Sequence, residues 1–302
     1  MIRVPDALRR DVLRVCERMY QRGLVAGTDG NVSVRLSNEY LLATPTGMSK
    51  GFLGAADLVV CDMQGQQLQG ERRLTTEIKI HLAAYAERQD VCAVVHAHPP
   101  YATAFAVANK TMDERIMPEA YIAVGKVALA TYGTPSTDEL EDSIRPTVAD
   151  HDAILLANHG AMTLGRDVTS AYHRMEALEQ LARISALAHL VGEARQLSPE
   201  ELARLESIRG VYGADDKNVP CFQCGWTPRQ HAEPSHAPSS QPSPPASSGA
   251  PAKRASEYTD PGVHWPGNPP VWERPARSAN ETRVRDMARR ALRDVRRDES
   301  ST

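Results

Sequence analysis

Long apolar runs are missing from this 302-residue chain. The longest, such as AILLA at 153–157, fall far short of the roughly 20 residues a membrane-spanning helix needs. We therefore expect no transmembrane segment. The opening MIRVPDALRR has no apolar signal-like core. An excess of one charge is missing too: the formal net charge is −3, so no global field points to nucleic acid as a partner. Cysteine is scarce. Five are present, three of them scattered through apolar segments, which is not a disulfide framework and suits a reducing cytoplasm. No internal repeat is visible. What remains is ordinary for a globular protein, 41% hydrophobic and 24% charged, and long enough for one large domain or two small ones.

Composition divides the chain. Residues 1–213 mix apolar periodicity with turn signals and read as one folded domain. Residues 214–279 are dominated by Pro, Ser, Ala and Gly, with no apolar face, and read as a disordered linker. Within that stretch Cys221 and Cys224 form C-x-x-C, with His231 and His236 downstream, a spacing that fits no common zinc module. In residues 280–299 a pattern returns: Val284, Met287, Ala288, Ala291, Leu292 and Val295 make a short helical stripe amid arginine.

The folded part alternates helix and strand signals. Residues 6–22 put Leu8, Val12, Val15, Cys16 and Met19 on one helical face, ended by Gly23. GTDGNVSVRL and EYLLATPTG read as strands beside Gly turns, and DLVVCDMQGQQL as a strand with a Gly turn. TTEIKIHLAAYAERQ reads as a helix with a Thr N-cap and Ile78, His81, Leu82 and Tyr85 at helical spacing. Ser136 and Glu139 suggest a capping box for the next helix, which Pro146 would end or kink. DAILLANHG is a buried strand running into a turn. The segment from Asp167 onward is a long amphipathic helix with Ala171, Met175, Leu178, Leu181 and Ala182 inward. The expected class is α/β, a mixed sheet covered by helices.

Chemistry concentrates at a few turns. In VVHAHPP, His96 and His98 fall two residues apart at the end of an apolar strand, so both face the same way, and Pro99 and Pro100 stop the ladder. His159 in LLANHGAM follows another apolar strand. A single histidine there is more often a core or loop residue. Three at converging strand ends instead match a catalytic zinc site with an open fourth position. Glu77 opens a helix, where the bland role is a solvated cap; the sharper role is a carboxylate that meets the metal at rest and acts as general base when substrate displaces it. Thr75 and Thr76 beside it offer hydroxyls and free helix N–H groups to a phosphate. GTDGNVS and TPTGMS are Gly turns bearing Asn31, Ser33, Thr44, Thr46 and Ser49, each a weak anion signal alone.

In this order and spacing, GTDGNVSVR, LLATPTG, TTEIKIHLAAY, AVVHAHPPYATAF and LLANHGAM resemble the class II aldolase/adducin family, and within it the L-fuculose-1-phosphate aldolase type. The resemblance covers residues 1–213. It implies a three-layer α/β/α fold around a mixed, mainly antiparallel sheet, and a homotetramer with sites at subunit interfaces. It implies zinc on His96, His98 and His159 with Glu77, which is also the catalytic acid/base. Phosphate contacts would come from Gly30, Asn31, Thr46, Gly47, Thr75 and Thr76, the two threonines standing where such aldolases commonly have serines. Tyrosines from neighbouring subunits complete such sites; Tyr121 in PEAYIAVG, where the spacing is shortened, and Tyr212 in RGVYGAD match them. The implied reaction cleaves a ketose 1-phosphate to dihydroxyacetone phosphate and an aldehyde such as lactaldehyde.

Relatives of that family include pentulose-phosphate 4-epimerases, which typically carry Asp where Glu77 stands, methylthioribulose-phosphate dehydratases and decarboxylases. Adducin-like scaffolds share the head but lack the zinc ligands, all of which are present here. The helical stripe at 281–297 resembles the encapsulation peptides that load enzymes into bacterial microcompartments, some of which process fucose and rhamnose. That implies a shell protein as partner and a compartment lumen as one address within the cytoplasm.

Overall fold

The computed structural model describes residues 2–192 and 194–212. The linker at 214–279, the Cys221–Cys224 pair with His231 and His236, and the stripe at 281–297 lie outside the described residues.

Eight strands form one sheet: β1 (Asn31–Arg35), β2 (Tyr40–Ala43), β3 (Val59–Asp62), β4 (Gln67–Gln69), β5 (Ala93–Ala97), β6 (Val127–Ala130), β7 (Ala153–Leu156) and β8 (Gly160–Gly165). Their order across the sheet is β4-β3-β2-β1-β5-β8-β7-β6. Every neighbouring pair is antiparallel except β6 with β7, so the sheet is mixed and mainly antiparallel, as expected. The longer helices are α1 (Asp6–Gln21), α2 (Ile78–Glu87), α3 (Pro100–Val107), α4 (Pro118–Ala123), α5 (Asp138–Val148), α6 (Val168–Val191) and α7 (Pro199–Ser207). Among the described residues no helix is long and apolar enough to cross a membrane.

Strand alternation splits the core in two. Val32, Val34, Val95 and Leu155 point to one face and pack with Val12 and Met19 of α1 and Met175 and Leu178 of α6. Val94, Ile154, Leu156, Met162 and Leu164 point to the other, against Ile80 and Ala84 of α2 and Leu140 and Ile144 of α5. Helices therefore cover both faces, giving three layers. The inward faces read from the sequence hold: Leu8, Val12, Val15, Cys16 and Met19 of α1 are buried, as are Ala171, Met175, Leu178, Leu181 and Ala182 of α6.

Local chemistry departs from expectation in several places. Residue 137, not Ser136, is the N-cap of α5. Ser136 takes φ +65°, which is not the extended conformation an N-cap needs, and Glu139 instead accepts from the Thr134 hydroxyl at 2.7 Å. Pro146 does not end α5, which runs on to Val148; proline removes only its own donation, and buried Leu140, Ile144 and Val148 hold the helix down. Neither threonine caps α2, because Glu77 occupies the N-cap position. Strands β6 and β8 went unread: VALA is short, and GAMTLG carries glycine at both ends.

Leu155 is wholly buried in β7. Leu155→Ala is expected to cost about 2–5 kcal/mol, cavity included. The check is a lower urea midpoint at unchanged denaturant slope.

Candidate metal centre and active site

Strand β5 is buried along its whole length because β1 and β8 flank it. His96 stands opposite Asn31 on one side and Met162 on the other. Its Nδ1 lies 2.9 Å from the carbonyl oxygen of Ala161. A carbonyl only accepts, so Nδ1 carries the proton and Nε2 carries a lone pair. His98 follows the strand by one residue, tied by its backbone N–H to the Leu24 carbonyl at 3.1 Å. The Asp29 carboxylate sits 3.2 Å from His98 Nδ1, which again leaves Nε2 with the lone pair. His159 lies in the turn between β7 and β8 and donates its backbone N–H to Leu156 at 3.0 Å.

Two glycines let these segments meet. A Cβ on Gly30, which has φ +72°, would fall 2.8 Å from the His96 carbonyl oxygen and 2.6 Å from Val25. A Cβ on Gly160 would fall 2.5 Å from the Ala97 carbonyl oxygen and 2.6 Å from the His98 ring. Both contacts are closer than side chains tolerate, so glycine is required at each.

The three imidazoles form a near-equilateral triangle, with ring centroids 4.7, 4.9 and 5.0 Å apart. One nitrogen from each lies within 4.8 Å of the others. His98 Nε2 is 3.2 Å from His96 Nε2. Two lone pairs facing each other across that distance repel unless a cation lies between them. Ligands about 2.0–2.1 Å from a common tetrahedral centre are about 3.3 Å apart, close to the spacings of 3.2 and 3.3 Å seen here among His96, His98, His159 and Glu77. The donor set therefore fits a divalent ion of the zinc kind. Its outer contacts fit as well: Ala161 and Asp29 fix two of the rings through their far nitrogens.

Glu77 is not spent on capping. It makes no side-chain cap bond; its Oε1 lies 3.2 Å from His159 Nε2 and its Oε2 3.3 Å from His96 Nε2. Burial pushes this carboxyl up, the adjacent His159 and His96 side chains pull it down, and the net direction is well below the usual carboxylate range. Asn31 donates to Oε2 at 2.8 Å. Burial and the neighbouring His96 and His159 push His98 down to about 4, against Asp29.

The three turns singled out in the sequence come together at the same end of the sheet. Thr44 N–H donates to Val32, Thr46 N–H donates to Arg73, and Pro45 bridges Leu74. These links tie the strand that begins at Asn31 to the turn carrying Thr46 and Gly47, and that turn to the segment just before Thr75. Gly47 and Thr76 are exposed, and Thr46 is half-buried. Two other hydroxyls turn inward: Thr44 accepts from the Val32 N–H, and Ser33 binds His81. Lys50 is buried and donates to the Thr28 and Met48 carbonyls at 3.0 and 2.8 Å, pinning two of the turns to each other. Burial lowers its pKa, while the charges of Cys16, Asp29 and Glu77 raise it.

Tyr121 stands apart from this group on α4, with Glu206 of α7 as its hydrogen-bond partner. Tyr212 ends the last described turn, Arg209–Tyr212. Sequence reading missed Asp29 and Lys50 and took His81 as an apolar-face residue. Asp29 looked like one more turn residue, and nothing local aligns it with a histidine some seventy positions on; the only hint for His81 was its spacing of one helical turn from Glu77.

Residues 10–186 match the family described as the class II aldolase and adducin N-terminal domain. An L-fuculose phosphate aldolase from Methanococcus maripaludis is 37% identical over 181 residues, 60% of this chain and 97% of that protein. A 3-oxo-tetronate 4-phosphate decarboxylase from Escherichia coli is 32% identical over 211 residues, 68% of this chain and 98% of that protein. Among solved structures, an L-fuculose 1-phosphate aldolase superposes with a TM-score of 0.62 at 29% identity, over 68% of this chain and 96% of that one.

A divalent ion must compete with protons for imidazole nitrogens, so affinity falls as pH drops through the histidine range, between about pH 7 and 5. Because His98 is pushed down to about 4, it is already neutral there, and log affinity should fall by less than three per pH unit. Chelator competition measures this slope. His96→Ala should abolish stoichiometric binding at every pH.

Proposed function

The chain belongs to the class II aldolase and adducin N-terminal domain family, and from that premise we propose that it is a zinc-dependent lyase. Its substrate is a ketose 1-phosphate of the L-fuculose 1-phosphate type, cleaved to dihydroxyacetone phosphate and an aldehyde such as lactaldehyde. The observation that carries this reading is Glu77: a carboxylate facing two histidines of a metal-competent triangle, each at 3.2–3.3 Å.

His96, His98 and His159 would hold the ion, with Glu77 as the fourth group in the absence of substrate. When bound, the ion supplies Lewis-acid stabilisation of the negative charge left by the departing carbon. The phosphate is received by the turns at Gly30, Thr46, Gly47, Thr75 and Thr76, with backbone N–H groups and hydroxyls as donors. As the bond between the third and fourth carbons breaks, its electron pair stays with the ketose half and the fourth-carbon hydroxyl loses its proton. A tyrosine, Tyr121 or Tyr212 from a neighbouring subunit of a homotetramer, serves that hydroxyl. Glu77 takes up the proton released by the fourth-carbon hydroxyl, by way of the tyrosine hydroxyl and water, and delivers it to the third carbon, completing dihydroxyacetone phosphate.

A decarboxylase of the same fold is the second reading. Asp29 argues against it. Its carboxylate is 46% exposed and touches His98, so a substrate carboxylate at the histidines would meet a like charge, whereas a neutral hydroxyl would meet an acceptor. An adducin-like scaffold would have no use for the preserved triangle.

We assign residues 281–297 to docking on a microcompartment shell protein, with the stripe from Val284 to Val295 as anchor. Fused to a fluorescent protein, residues 278–302 should form puncta only when shell proteins are co-expressed. Diffuse signal with the shell present overturns that assignment.

Glu77→Gln keeps the size of the side chain and removes the base. It should lower aldehyde release from a panel of ketose 1-phosphates by about 10²–10⁴-fold, with metal content and fold retained. Undiminished exchange of solvent protons into dihydroxyacetone phosphate by this variant would refute the role.

A further inference from the structure

Behind Glu77 runs a row of buried polar side chains that the proposed chemistry does not use. Asn31 is 3% exposed, Tyr85 2%, and Ser33 and His81 not at all. The contacts are continuous. Tyr85 Oη is 2.8 Å from Ser33 Oγ, Ser33 Oγ is 2.7 Å from His81 Nδ1, His81 Nε2 is 2.5 Å from Asn31 Oδ1, and Asn31 Nδ2 is 2.8 Å from Glu77 Oε2. Two elements supply all of it. Asn31 and Ser33 alternate onto one face of β1, and Glu77, His81 and Tyr85 recur at four-residue spacing along α2.

The direction of every bond follows from one end. An ionised carboxylate only accepts, so Asn31 must turn its amide N–H toward Glu77 and its oxygen toward His81. That oxygen needs a donor, so His81 is protonated at Nε2. A neutral ring then accepts at Nδ1, so Ser33 donates there and itself accepts from Tyr85. The Tyr85 hydroxyl also reaches the Ser33 carbonyl at 3.0 Å, and its ring lies under the Arg35 guanidinium at 4.8 Å. Three donors, Ser33, His81 and Asn31, therefore point toward Glu77, and the one Tyr85 proton is shared between Ser33 Oγ and the Ser33 carbonyl. Burial and the nearby His96 push His81 down to about 3, despite Glu77, in keeping with a neutral ring. A chain of this kind can be built in only one direction while its last member is a carboxylate.

We propose that Tyr85, Ser33, His81 and Asn31 are positioning residues: a one-way hydrogen-bond chain that aims the Glu77 carboxylate at His96 and His159. The mere need to pair buried polar groups would be met by either direction and would be indifferent to Glu77. The consequence for turnover rests on Glu77 acting as proton carrier; the direction of the chain does not.

Three measurements on the full chain separate these. Nitrogen NMR of protein labelled at histidine should show His81 neutral with its proton on Nε2; a proton on Nδ1 overturns the proposal. Ser33→Ala removes the central link with little change in volume, and Tyr85→Phe serves if that variant does not fold. In a crystal structure of either, Glu77 should leave its 3.2–3.3 Å positions on the histidines; an unmoved carboxylate overturns the proposal. Turnover should fall about tenfold or more, the usual size for loss of an outer-shell partner, with KM little changed. This loss should vanish when Glu77→Gln is already present, since the chain acts through that residue. An equal loss in the Glu77→Gln background means a general packing defect and overturns the proposal. If Glu77→Gln alone is fully active, the acid–base role of Glu77 fails, and the tautomer and the carboxylate position still decide the chain.

Discussion

The register of β5 between β1 and β8 is the constraint on which the site depends. It puts His96 level with Asn31 and Met162, and by alternation it commits His96, Asn31 and Ser33 to the face that α2 covers. A slip of one residue would turn His96 to the face packed by α1 and α6 and replace it with Val95 or Ala97. The close approaches at Gly30 and Gly160 belong to the same constraint. They bring the turn before β1 and the turn before β8 against the end of β5, where His98 and His159 are needed.

Such a site concentrates polar groups where a sheet is otherwise apolar. Buried polar groups cost free energy unless they are hydrogen-bonded, and here pairing is nearly continuous. Arg35, also buried, donates to the Tyr85 and Val91 carbonyls at 2.9 and 3.2 Å. Lys50 does the same for two turns. Their aliphatic stems pack in the core while their charged ends tie loops whose own backbones have no ladder partners. Each paired member is sensitive to removal because its partner would be left buried and unsatisfied; His159 Nδ1 is the exception at the centre, buried without a hydrogen-bond partner.

Charge at the site is arranged around the same point. Glu77 touches His96 and His159, Asp29 touches His98, and buried Lys50 ties the turn at Thr28 to the turn at Met48. Two carboxylates beside three imidazoles favour a cation at the centre.

How much of this was legible follows from the range of each signal. Helix faces on α1 and α6 are set by spacings of three and four residues, so they could be read directly. The H-x-H pair at the end of β5 rests on a two-residue period and was equally plain. Glu77 was legible only as one of two readings, a carboxylate for the metal or a helix cap, because capping satisfies every local rule; the family resemblance favoured the first. Asp29 and His81 were out of reach: each gains its meaning from a residue on another element, His98 or Asn31, and no local periodicity encodes a cross-element distance. Strand β8 was hidden by its glycines, which weaken a strand signal for the same reason that Gly160 admits the backbone of β5, and Gly165 that of α6, so closely. By itself, the sequence determined the layers, the buried faces and the residue types able to hold a metal ion. Only the tertiary structure decided which nitrogen of His96 and of His98 faces the centre and which carboxylate supports it, because those choices are made by contacts between segments far apart in the chain.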